Sequence, residues 1–121
     1  MPHAIEDQNG TVIVRLTGAM GGSAGDAQVY DAVYRCLGEG RRRFVVDLAE
    51  VEQMNAVGLG VVLTVFVIVR NGSGEAVLAR VPDVVTSLLM ITRWHDVLPM
   101  ADTVDAAVER LETSPGVEAT A

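Results

Sequence analysis

Few side chains in this 121-residue sequence could move a proton, attack a carbonyl or hold a metal. His3 and His95 stand near opposite ends of the chain, and no Cys or carboxylate spacing joins them into a ligand set. Cys36 is the only cysteine, which excludes an internal disulfide and a multi-cysteine metal site. All 9 basic residues are arginine, so there is no lysine for a Schiff base, a phosphate loop or general base catalysis. Gly21-Gly22-Ser23-Ala24-Gly25 resembles a phosphate loop, but the Lys-Ser/Thr pair that should follow is missing, and the segment reads as a plain loop. Asp47 closes an apolar stretch, a position where active sites often lie, yet no acid or base companion is evident. Trp94 reads as a packing residue in a turn. The expectation is a protein without catalytic activity, cofactor or metal.

The totals point the same way. At 12.8 kDa with 50% hydrophobic residues, the chain has the size of one domain with its own core. A net charge of −7 and a pI near 4.6 repel nucleic acid and anionic lipid, which leaves proteins as the expected partners. Arg41-Arg42-Arg43 is the only basic cluster and reads as a solvated loop. The opening MPHAIEDQNG lacks the apolar segment of a signal peptide, and the longest apolar run, Ala56 to Val69, falls short of the roughly 20 residues that cross a bilayer. A cytoplasmic protein without membrane insertion is expected.

The elements that would position these residues can be read from periodicity. Asn9-Gly10 suits a tight turn between strands near 3–7 and 11–17. Ser23 or Asp26 could cap a helix whose apolar face is Val29, Val33, Cys36 and Leu37 and whose stop is Gly38 and Gly40. RFVVDLAEV predicts a short buried strand ending in Asp47. After a loop at Asn71 to Gly74 comes a strand near 75–81. Pro82 then opens a helix with Val84, Val85, Leu88, Leu89 and Ile91 on its apolar face. VLPM predicts a brief last strand, its Pro99 favouring a sheet edge, and Val104, Ala107, Val108 and Leu111 mark a closing amphipathic helix. The result is an α/β fold with one sheet of four to five strands, an opening hairpin followed by parallel strands, and about four helices. The domain is expected over 1–112, with 113–121 a disordered tail.

FVVDLAEVEQMNAVGLGVVL, followed by RNGSGEAVLARV, carries a family resemblance. The sequence resembles STAS domains of the bacterial anti-sigma factor antagonist type from about Thr11 to Val108. That pattern has a strand ending in Asp-Leu, then Asp-Ser-Ser-Gly-Leu-Gly opening a helix, then a glycine turn and another strand. Asp47, Leu48, Gly58, Leu59 and Gly60 match it position by position, and Leu16-Thr17-Gly18 matches the end of its second strand. The resemblance implies a partner-switching module that binds an anti-sigma factor, often also a serine kinase, and is shut off by phosphorylation of the second motif serine.

Aligned on Gly58-Leu59-Gly60, the family's Asp is Asn55, its first Ser is Ala56 and its phosphorylated Ser is Val57. Valine has no hydroxyl, so the roughly −2 charge of a phosphate cannot be installed at this degenerate phosphosite. Val57 also forgoes the cap a serine could supply, and Asn55 is the expected helix cap. The following helix, expected over 57–70, is rich in β-branched residues but too long for a usual strand. Leu59, Val62, Leu63 and Phe66 form one apolar stripe, and Val61, Thr64, Val65 and Ile68 form the opposite one. That second stripe is either covered within the domain or a protein interface. The expected partner-binding set is thus the 53–58 loop, with Asn55, Ala56, Val57 and Gly58, and the outer helix positions Val61, Thr64, Val65 and Ile68.

The leading expectation is an antagonist-like regulator that binds an anti-sigma factor or a serine kinase without phosphorylation at Val57, as a constitutive antagonist or a stress-signalling scaffold. A homodimer is a second way to cover the helix. The alternative is a STAS accessory subunit docked on the ATPase of a membrane transport complex. A weaker third reading, a nucleotide or other anion at the helix start, is disfavoured by the apolar Val57.

Overall fold

The computed structural model describes residues 3–20 and 28–113. β1 (His3–Gln8) and β2 (Thr11–Met20) form an antiparallel hairpin turned at Asn9-Gly10, both with positive φ. Then follow α1 (Gln28–Gly38), β3 (Arg43–Met54), α2 (Ala56–Asn71), β4 (Glu75–Ala79), α3 (Asp83–Ile91), β5 (Met100–Ala101) and α4 (Val104–Glu112). The sheet has the order β1-β2-β3-β4-β5, with β2 to β5 parallel. This is the expected mixed five-stranded sheet with four helices.

Strand alternation divides the core in two. Val12, Val14 and Leu16 of β2 and Phe44, Val46 and Leu48 of β3 face a large cluster shared with α1, α2 and α3. Their neighbours Ile13 and Val45, with Val77 and Ala79 of β4, face a smaller cluster closed by Ala107, Val108 and Leu111 of α4. Three helices therefore cover one side of the sheet and α4 covers the other.

Several boundaries differ from the sequence reading. β3 does not end at Asp47. Its first half pairs with both β2 and β4, but beyond Asp47, opposite Ala79, it pairs with β2 alone. Register shifts between Arg15 and Thr17 and between Gly18 and Ala19, with Gly18 at φ +82°, interrupt the regular ladder along this two-stranded extension. β4 stops at Ala79, not near 81, because Arg80 turns to φ +52°. On α3 only Val85 and Leu89 are buried, while Val84 and Ile91 are exposed, because this short helix lays one stripe against β3. Gly74 is needed at its turn: a Cβ there would lie 2.6 Å from the Arg42 carbonyl oxygen. Pro99 does precede an edge strand. Ser23 and Asp26, offered as caps of α1, and residues 114–121 of the expected tail lie outside the described residues. No helix among the described residues is long and apolar enough to cross a membrane.

Candidate docking site at the start of helix α2

The segment expected as a loop over 53–58 is shorter than that. Gln53 and Met54 still belong to β3, α2 starts at Ala56, and Asn55 alone joins them. Asn55 is extended at φ −106° and ψ −174°, and its Oδ1 accepts a 3.0 Å hydrogen bond from the Gly58 N–H. Its carbonyl oxygen accepts from Leu59 N–H at 2.9 Å, which closes the first helical turn. The cap expected at Asn55 is therefore present. Gly58 is buried, whereas Ala56 is exposed and Val57 is 57% exposed.

Of the two readings of the outer stripe of α2, the structure has the covered one, so most of it is not available as the partner surface. Val61, Val65 and Ile68 are buried, and Thr64 is half-buried. The cause is α1, which packs along α2 and shares the large core cluster with it through Val29, Val33 and Cys36. The contact is close at the far end, where a Cβ on Gly72 would lie 2.9 Å from the Leu37 methyls. The helix is thus covered on two sides, by the sheet and by α1. This is why its apolar residues run around most of its circumference. The stripe that remains open is Val57, Gly60, Thr64 and Val67, at helical spacings of three and four. The Thr64 hydroxyl donates to the Gly60 carbonyl oxygen at 2.7 Å. At its lower end the stripe borders a shallow apolar groove of about 340 Å³ between Leu63, Phe66 and Val67 of α2 and Trp94, Val97 and Leu98 of the turn after α3.

Sequence reasoning missed the companions of Asp47. Its carboxylate is fully buried and is held by two arginines. Arg15 donates from Nε at 2.9 Å, and Arg80 donates from Nε at 3.0 Å and also from Nη2. The Ala49 N–H adds a 3.2 Å bond, and Arg15 reaches Glu6 at 2.9 Å through Nη1. Burial alone would raise the pKa of Asp47, but the Arg80 and Arg15 hydrogen bonds outweigh it and hold the carboxyl below its ordinary value. Register supplies the signal that could have found this cluster. Arg15 lies opposite Asp47 on one side, and Ala79 lies opposite it on the other, one residue before Arg80. The cluster is an anchor for the strand that leads into Asn55, not an acid-base pair, because each oxygen of Asp47 is already occupied.

The remaining candidates do not converge. Cys36 is buried, and burial pushes its thiol pKa up, away from the reactive thiolate. His95 lies 3.4 Å from its sequence neighbour Asp96. Among the described residues no group of three or more His, Cys, Asp or Glu side chains could hold a metal ion.

The family model described as "STAS domain" matches residues 3–107. The BtrV protein of Bordetella bronchiseptica, assigned as an anti-sigma factor antagonist, is 29% identical over 106 residues, covering 88% of this chain and 90% of that one. An anti-sigma factor antagonist from Mycobacterium paratuberculosis superposes with a TM-score of 0.74 at 19% identity, over 92% of this chain and 93% of its own. The antagonist SpoIIAA of Bacillus, in its unphosphorylated form, superposes with a TM-score of 0.71 at 18% identity, over 93% and 100% of the two chains.

Proposed function

Since the chain belongs to the STAS domain family, we propose that it acts as an anti-sigma factor antagonist that docks on an anti-sigma factor or serine kinase through the start of α2 and is not switched by phosphorylation there. The observation that carries this reading is the exposed Val57 in the first turn of α2, at the position where the resemblance places the phosphorylated serine. The presenting geometry of that turn is intact. Asn55 caps it, Gly58 and Leu59 pack beneath it, and the strand before it is anchored through Asp47.

The docking surface in this reading is Asn55, Ala56 and Val57, continued by Gly60, Thr64 and Val67. Val61, Val65 and Ile68 support it from behind and make no contact with the partner. With no hydroxyl at residue 57, control passes to the amount of protein and to competition among partners. Thr64 is a poor substitute target, since its hydroxyl is bonded to the Gly60 carbonyl within the helix and a kinase cleft needs an extended chain.

The test is incubation with each serine kinase encoded in the same genome and labelled ATP, followed by peptide mapping. The expected result is a stable complex with at least one anti-sigma factor or kinase and no stoichiometric label in the tryptic peptide 44–70, whose one hydroxyl is that of Thr64. Stoichiometric label at Thr64, or label at any other site that releases the complex, overturns the constitutive reading. Binding confined to a transporter ATPase overturns the sigma-factor assignment.

A further inference from the structure

We infer that the surface receiving the start of α2 is an apolar socket rimmed by arginine or lysine, on a protein other than a second copy of this chain; the inference rests on the function proposed above. The tip itself carries no charge: Asn55, Ala56 and Val57 are exposed, and Val57 projects as an apolar knob. Its surroundings are acidic. Glu50 and Glu52 are exposed on the stretch of β3 that leads into Asn55, and Asp83 is exposed at the first position of α3, which packs on β3.

The cations Arg15 and Arg80 lie at this end of the sheet, and they face more carboxylates than they can balance, Glu50 near Arg80 among them. Both bind Asp47, and Arg15 also binds Glu6. Most other arginines belong to the opposite end. Arg35 lies in the last turn of α1, Arg41 and Arg42 join α1 to β3, Arg43 opens β3, and Arg70 lies in the last turn of α2. The ends of α1 and α2 are in contact there, through Leu37 and Gly72. Most other cations therefore lie away from the tip, which is apolar and has exposed carboxylates on the strand and helix beside it. A complementary surface has the reverse pattern, and its field would steer encounter before the knob seats. Two copies meeting through this end would set Glu50, Glu52 and Asp83 against their own counterparts, on chains that each carry a net charge of −7.

The experiment uses the anti-sigma factors and serine kinases encoded in the same genome, purified singly, with association and dissociation rates measured against the whole chain. For the protein that binds, the association rate should fall about tenfold or more from about 50 to about 500 mM salt. Combined Glu50→Lys, Glu52→Lys and Asp83→Lys should slow association about tenfold at low salt, and Val57→Asp should speed dissociation by at least about tenfold. The milder pair Glu50→Gln and Glu52→Gln gives a smaller shift in the same direction and serves if the reversal variant does not fold. A complex whose association ignores both salt and these charges overturns the basic rim and leaves the proposed function standing. A wild-type dimer that Val57→Asp dissociates overturns the heterologous partner. Failure of every such protein to bind at micromolar concentration overturns the proposed function, and this inference with it.

Discussion

Asp47 and Asn55 act within one short stretch of chain. The first is a buried carboxylate whose two arginines remain partly in water, with side-chain exposures of 28% for Arg15 and 42% for Arg80. Replacing it by Ala leaves Arg80 without its acceptor and Arg15 with Glu6 alone, and because both guanidiniums can rehydrate the expected loss is near the low end of the range for a broken buried pair, about 3 kcal/mol by denaturant unfolding. Its depressed pKa fixes the sign of the pH dependence. The stabilisation is full above the ordinary carboxyl value of 3.8 and is lost as pH falls through the lower folded-state value. Wild type should therefore lose stability more steeply than the Ala variant in acid titrations below about pH 4. Asn55→Ala removes the cap from the Gly58 N–H and should cost about 1 kcal/mol by the same measurement. The Asn55 cap was legible from residue type and its place before the helix. The Asp47 clamp was not, because its partners lie in other strands and become neighbours only through the parallel register.

Helix α2 shows where sequence reasoning met its limit. The residues that open it and the Asn71 to Gly74 turn that ends it were readable, since they depend on local backbone chemistry. Which of its apolar faces stays open was not readable, because a helix covered by both a sheet and a second helix has no polar side to mark the outside. The same ambiguity affected α3, whose Ile91 belongs to an apolar pattern yet is 80% exposed. A double change tests the corrected placement. Val61→Asp with Ile68→Asp buries two unpaired carboxylates beside α1 and should unfold the domain, lowering the thermal midpoint by well over 10 °C or abolishing the transition. Val57→Asp and Val67→Asp lie on the open stripe and should leave the midpoint within a few degrees, about 0.5 kcal/mol of wild type.

At the scale of the molecule, strand order and burial set a gradient of stability. β3 has partners on both sides over Phe44 to Asp47 and is covered by helices above and below, whereas β1 and β5 are edges. Amide exchange should accordingly be slowest at Val45 and Val46 and fast along β1 and β5, in a native-state exchange series. The fold class and the partly parallel sheet follow from hydrophobic periodicity, which short-range patterns carry well, whereas the segregation of α4 to its own face emerges only in the packed sheet. The length of β3 escaped them because its second half is stabilised by a single neighbour through bulged register. That extension ends one residue before the first turn of α2, so the exposed valine is attached to the core strand through Asn55 alone. A longer connection would have to be ordered on association, at about 1 to 2 kcal/mol of backbone entropy for each residue fixed. Here that ordering is completed during folding. Recognition at this tip should proceed as rigid-body docking with little conformational entropy loss on this side of the complex.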